Sequence, residues 1–188
     1  MRWQAPLLDQ GSGGAVFEQV SSMDALLLGR RTYDIFASYW PKAAEETPFT
    51  PLLNGVPKYV ASRTLAEPLA WEGSTLVAND LAASITALKE RNDEVHVIGS
   101  LDLLQSLLRF GLVDRMNLWL YPLVLGSGKH VFAGGTVPTP LRLTESVTYP
   151  NGTIQLPTRL PAYPGTATSP PRRTRRVTGR DKRATAPR

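Results

Sequence analysis

Residues 26–33, Leu-Leu-Leu-Gly-Arg-Arg-Thr-Tyr, compress a buried strand, a glycine turn and the start of a helix into eight positions. A strand that feeds straight into a helix is the repeating unit of a parallel sheet, so this segment points to an α/β fold. The apolar run stops at Gly29, and Tyr33, Phe36, Ala37 and Trp40 then recur at three- and four-residue spacing until Pro41. A helix that starts at a strand end leaves its first backbone N–H groups free, and these attract phosphate together with the positive end of the helix dipole. Arg30 and Arg31 add fixed charge and forked donors suited to phosphate oxygens. The same eight residues also describe a structural turn with two solvated arginines.

The unit recurs along the chain. Val16, Val20 and Met23 form a helical stripe within residues 15–23, while Gly11-Ser12-Gly13-Gly14 follows no strand and reads as loop. Lys58-Tyr59-Val60-Ala61-Ser62 and Thr75-Leu76-Val77 read as short strands. Asn79 or Asp80 can cap a helix facing inward through Leu81, Ile85 and Leu88. Glu94–Ile98 is strand-like and ends at Gly99. A helix follows with Leu101, Leu104, Leu107 and Leu108 inward and Gly111 as its stop. Residues 115–124 are the longest strand candidate, and Asn151-Gly152 between alternating runs signals a hairpin. The fold class that follows is α/β: a mixed, mostly parallel central sheet flanked by helices, closing in an antiparallel C-terminal hairpin.

The net charge of +5 divides unevenly. Residues 161–188 carry eight basic side chains against Asp181 alone, leaving the first 160 residues at −2. Residues 1–160 therefore read as one domain and 161–188 as a disordered basic tail rich in Pro, Arg and Thr. Such a tail can bind nucleic acid in a salt-dependent way, but it has no interleaved aromatics, and non-functional disorder is the preferred reading. No apolar stretch reaches the ~18–20 residues of a membrane span, and the N-terminus lacks the apolar core of a secretory signal. With no cysteine, disulfides, thiol nucleophiles and thiolate metal sites are excluded, and a cytoplasmic location is expected. Only two histidines occur, His96 and His130, which argues against a multi-histidine metal centre; His96 reads as a packed sheet residue.

Three strand-end turns carry the candidate chemistry: Gly29-Arg30-Arg31-Thr32, Ala61-Ser62-Arg63-Thr64 and Gly99-Ser100-Leu101-Asp102. In open α/β sheets, ligands bind outside the carboxyl ends of the strands, where such turns gather. Together they suit a phosphorylated dinucleotide, with Arg30, Arg31 or Arg63 near a ribose phosphate and Gly99-Ser100 allowing a flat ring close to the backbone. Gly126-Ser127-Gly128-Lys129 is not a phosphate loop: it lacks a glycine five residues before Gly128, and His130 replaces the magnesium-binding Ser or Thr. Asn151-Gly152-Thr153 is also a glycosylation sequon, irrelevant without secretion.

Leu28–Tyr33, Val97–Ser100, Leu112–Arg115 and Tyr121–Phe132 resemble, in order, the motifs of the dihydrofolate-reductase-like superfamily. The chain is most similar to the C-terminal reductase domain of riboflavin-biosynthesis bifunctional deaminase–reductases and their stand-alone bacterial relatives, over roughly residues 3–156. The resemblance implies NADPH as hydride donor, a small-molecule substrate of aminopyrimidine or pterin type, and a homodimer formed through residues 115–125 and the terminal hairpin. By position it implies that Gly29, Arg30, Arg31 and Thr32 hold the pyrophosphate and ribose phosphate, and that Ser62 and Arg63 lie on the adenosine side. Gly99, Ser100, Leu101 and Asp102 fall beside the nicotinamide, with Ser100 in place of a second glycine. Tyr33, Phe36, Trp40 and Lys129 are substrate-side candidates, although aromatic spacing on a helix is equally a core pattern. No catalytic residue is assigned: Asp9 is nearest in sequence to the family's proton-assisting acid.

Two departures stand out. The family's first strand and its Ser-Leu-Asp-Gly-like end have no counterpart before Trp3-Gln4-Ala5-Pro6. That strand is central in the family, so its neighbours are expected to lose backbone partners, at roughly 1–3 kcal/mol per buried group. This expectation also raises the alternative of a catalytically degenerate remnant. At the other end, Pro157 is expected to interrupt the last strand, with a frameshift or an unusual extension from about residue 157 onward.

Overall fold

In the computed structural model, which describes residues 7, 9–43, 47–77, 80–132 and 134–161, the triple-leucine run is the spine of the molecule. Strand β1 (Ala25–Gly29) pairs in parallel with β2 (Lys58–Ala61), and β2 with β3 (Ser74–Val77). On its other side β1 pairs in parallel with β4 (Val95–Val97), giving the order β3-β2-β1-β4. Side chains alternate along a strand, so Leu26 and Leu28 enter one core and Leu27 the other. The first core is covered by α1 (Gln10–Ser21), α2 (Arg30–Tyr39) and α3 (Phe49–Gly55), through Val20, Tyr33 and Leu53. The second is covered by α4 (Leu81–Arg91) and α5 (Leu101–Arg109), through Ile85, Leu88, Leu103 and Leu107. Burial on both faces is why β1 is apolar throughout rather than alternating.

The rest of the chain forms an antiparallel sheet from β5 (Arg115–Leu120), β6 (Arg142–Leu143), β7 (Val147–Thr148) and β8 (Ile154–Arg159). All of its pairings are made to β8. Asn151 and Gly152, the latter at φ +81°, turn the β7–β8 hairpin as expected. The mixed architecture thus appears as two four-stranded sheets. Among the described residues, no strand pairs with the outer edge of β4 or of β5. The sheets meet near the start of these strands, where Arg115 pairs with Glu94, Lys89 lies 2.7 Å from Asp114, and the Leu160 N–H donates to the Asp114 carbonyl.

Several expectations are corrected. Gly11-Ser12-Gly13-Gly14 is the first part of α1, not a loop. Asp9 caps that helix through a reciprocal pair with Ser12, which is fully buried, and Gly11 packs so closely that an added Cβ would lie 3.4 Å from the Tyr149 ring. Helix α3 carries too few turns for its periodicity to be read and was missed. On α5 the buried stripe is Leu103, Leu107 and Leu108, rotated away from Leu101 and Leu104. Strand β5 ends at Leu120 rather than at residue 124, just before Tyr121-Pro122. Pro157 does not end β8: opposite Asn117 it lacks an N–H, but its carbonyl still accepts from the Thr144 N–H and hydroxyl. Asp80 caps α4 by accepting from the Ala83 N–H, while Asn79, Trp3-Gln4-Ala5-Pro6 and the tail from residue 162 lie outside the described residues.

The first core is organised around Trp71, which is 2 % exposed. Its backbone N–H donates to the Tyr33 hydroxyl (3.0 Å) and its indole N–H to the Asn54 carboxamide oxygen (2.9 Å). The Phe36 ring meets it edge-on, and the Lys58 ammonium sits 4.7 Å above the ring. Lys58 is itself buried and donates to the carbonyls of Asn54 and Glu72. Burial pushes its ammonium below the ordinary lysine range, and the Glu72 charge partly offsets this.

Candidate functional site

From β1 the chain moves one way, to β2 and then β3, before β4 is laid down on the opposite side of β1. The topological switch point therefore lies between the carboxyl ends of β1 and β4, the crevice in which open α/β sheets hold ligands. The turns at its two walls are Gly29–Thr32 and Gly99–Asp102. Each opens a helix whose N-cap, Gly29 for α2 and Ser100 for α5, makes no side-chain capping bond, so neither cap occupies the first-turn donors.

The three expected turns are joined by direct contacts. The Gly29 N–H donates to Ser100 Oγ (3.0 Å), and the Ser100 N–H donates to Thr32 Oγ1 (3.1 Å). Arg30 reaches sideways to donate to Thr64 Oγ1 (2.6 Å) at the end of β2, and also lies 3.6 Å from Asp34. Arg31 lies 4.0 Å from Asp102, with both side chains about four-fifths exposed. Thr64 belongs to the expected turn Ala61-Ser62-Arg63-Thr64, but the sequence gives it no role of its own. The Ser62 hydroxyl accepts from the Thr64 and Leu65 N–H groups and so shapes that turn, while Arg63 is exposed.

The donor set fits a dinucleotide phosphate: two helix starts and the exposed Arg31 at the crevice, with Arg30 turned towards the end of β2 and Arg63 on that neighbouring turn. Gly99 sits at φ +63°, a left-handed conformation that favours glycine, and turns the chain against the Thr32 side chain. Asp102, in the first turn of α5, places negative charge beside Arg31; Leu101 is half-buried and offers the site its backbone.

The substrate-side candidates do not gather here. Tyr33 is 3 % exposed with its hydroxyl engaged by Trp71, and Phe36 and Trp40 pack against the same core, so the core reading of these aromatics holds. Lys129 lies on the exposed Gly126–His130 loop, with no described contact to the glycine turns. The Asp9 carboxylate accepts from the Ser12 hydroxyl and N–H, both at 2.7 Å, which holds its carboxyl below the usual range and suits a helix cap rather than a proton donor. His96 is a packed sheet residue as expected; burial lowers its affinity for a proton and the nearby Glu94 only partly offsets this. The sequon residue Asn151 donates to the Leu7 carbonyl and Ser12 Oγ and accepts from the Thr153 N–H, fastening the start of α1 to the hairpin. A shallow cleft of about 250 Å³ near Leu108, Phe132 and Leu141 contains no charged side chain and lies away from these turns. No metal-binding cluster occurs among the described residues, and no described helix is long and apolar enough to cross a membrane.

Known proteins share this architecture. A protein of Bacillus subtilis, YyaP, is 28% identical over 142 residues, covering 73% of this chain and 74% of its own. Among solved structures, a Shewanella sp. PV-4 protein provisionally assigned to riboflavin biosynthesis superposes with a TM-score of 0.63 at 23% identity, covering 82% of this chain and 81% of its own. A pyrimidine reductase-like protein of Corynebacterium diphtheriae gives 0.54 at 14% identity, over 82% and 83% of the two chains. RibD of Acinetobacter baumannii gives 0.55 at 12% identity over 82% of this chain, which matches only 51% of that longer protein. These likenesses establish the dihydrofolate-reductase-like fold. Residues 9–155, spanning α1, the three turns and the terminal hairpin, match the RibD C-terminal domain, and the chain belongs to that family.

Proposed function

We propose that this chain is an NADPH-dependent reductase acting on a ribosylaminopyrimidinone of the 5-amino-6-(5-phosphoribosylamino)uracil type, or on a pterin-like compound. The observation that carries the reading is the convergence of the α2 and α5 starts on the switch-point crevice, with Arg31 between them and Arg30 on the adjoining β2 side. When bound, the cofactor supplies the hydride. The chain's own work is to grip phosphate at Gly29–Thr32 and Gly99–Asp102, to bring Arg30, Arg31 and Arg63 to the phosphate-bearing ribose, and to align donor and acceptor. NADPH titration followed by fluorescence is expected to show saturable binding, and NADPH should be oxidised when the aminopyrimidine or a pterin is added. Absence of binding would sink the proposal. Binding without oxidation across these acceptors would support the second reading, a fold that has kept its nucleotide half and lost its chemistry, which the open edges of β4 and β5 favour.

The same proposal includes a homodimer. Most of the exposed large apolar side chains, among them Leu120, Leu123, Val124, Leu125 and Phe132, lie at or beyond the end of β5. Sedimentation should give twice the chain mass at micromolar concentration; a single monomer species would count against it.

A further inference from the structure

We propose that Ser100 is a positioning residue that holds the two helix starts converged, at the expense of its own backbone conformation; this rests on the dinucleotide reading above. The β1–β4 register extends only to Leu27 opposite Val97. Beyond that pair the Gly29 N–H takes its acceptor from a side chain rather than from a β4 carbonyl: Ser100 Oγ at 3.0 Å, while the Ser100 hydroxyl donates to the Ile98 carbonyl (3.3 Å). The Ser100 N–H in turn donates to Thr32 Oγ1 in the first turn of α2. One residue thus ties the end of β1, the start of α2 and the end of β4 around the crevice.

Ser100 achieves this at φ 53°, ψ 44°, and it is the one non-glycine residue with a left-handed backbone among the described residues. That conformation is unfavourable for any residue bearing a Cβ. Glycine would adopt it freely and could still offer its N–H to Thr32, but it has no hydroxyl for Gly29. The side chain is therefore what the strain maintains. With Thr32 Oγ1 accepting from Ser100, the Thr32 hydroxyl hydrogen is directed to another acceptor, the role a phosphate oxygen over the turn would fill.

The test compares Ser100→Gly and Ser100→Ala with the natural chain, using thermal midpoint and NADPH affinity as separate readouts. Ser100→Gly relieves the strain, so its midpoint should hold or rise by a few degrees. Its NADPH affinity should nevertheless fall, on the order of tenfold, because the donors are no longer pre-organised. Ser100→Ala keeps the strain and loses the hydrogen bond, so midpoint and affinity should both drop. Opposite signs in the glycine variant are what a purely structural role would not produce. If the natural chain binds NADPH and Ser100→Gly binds it equally well, the positioning role is overturned and the dinucleotide site stands. If affinity merely follows stability in both variants, the positioning role is likewise overturned. If the natural chain binds no NADPH, the dinucleotide reading falls and this proposal with it.

Discussion

Trp71→Ala is expected to lower unfolding stability by about 3–5 kcal/mol, the range for deleting a large buried aromatic, with a drop in Tm of roughly 10 °C. The effect belongs at the top of that range because more than apolar area is lost. Removing the indole takes away the donor to Asn54 and the ring beneath the Lys58 ammonium. The ammonium of Lys58, a residue 1 % exposed, then faces a cavity instead of a π-face. Urea unfolding of the variant measures the loss directly. A change below about 1 kcal/mol would mean that the first core does not depend on this hub. Trp71→Phe, which keeps a ring and loses the N–H, should fall between the two.

The Arg30→Ala, Arg31→Ala double variant is expected to weaken NADPH binding by at least about a hundredfold, taking about 1.5–3 kcal/mol for each charged hydrogen bond to phosphate. Neither arginine is held so firmly that it is unavailable. Both side chains are more than half exposed, and their contacts with Asp34 and Asp102, like the Arg30 bond to the Thr64 hydroxyl, are surface interactions of small worth. For the same reason the variant should unfold at nearly the natural denaturant concentration. Parallel titrations with NADH locate the contact. A larger loss for NADPH puts an arginine on the extra phosphate, and equal losses put both on the diphosphate. Unchanged affinity for both nucleotides would remove the arginines from the site.

Legibility followed the range of the forces. The apolar run Leu26–Leu28 revealed its strand because it is buried on two faces, and the turns at Gly29 and Gly99 announced themselves through glycine beside charge or a helix start. The same pattern carried the family resemblance, and with it the fold. The glycines of α1 were misread because local propensity favours loop there, whereas the reciprocal capping pair of Asp9 and the buried Ser12 decides otherwise. Pro157 misled for a related reason: sequence shows the missing N–H, but only the sheet shows that its carbonyl remains useful. Tyr33 looked equally suited to a pocket or a core, and no local signal separates these until Trp71, thirty-eight positions away, supplies its N–H. Ser100 could be recognised as a departure from the family, but its contact with Gly29 spans seventy-one positions and becomes visible only in three dimensions.

The edges of β4 and β5 that no strand pairs with among the described residues have a consequence for the chain in concentrated solution. An exposed row of N–H and C=O groups is a template for any extended polypeptide, and proteins ordinarily blunt such rows with charge, proline or a covering element. Here the charges Glu94, Lys89, Asp114 and Arg115 cluster where the two strands begin. Farther along, Val95–Val97 has only the half-buried His96, and Met116–Leu120 carries no ionised side chain at all. These opposite charges pair across the two strands and close that end of each edge, which leaves the remainder adhesive. Left uncovered, these strands would bind one another's copies in preference to water, so the solubility of this fold depends on whatever occupies that seam.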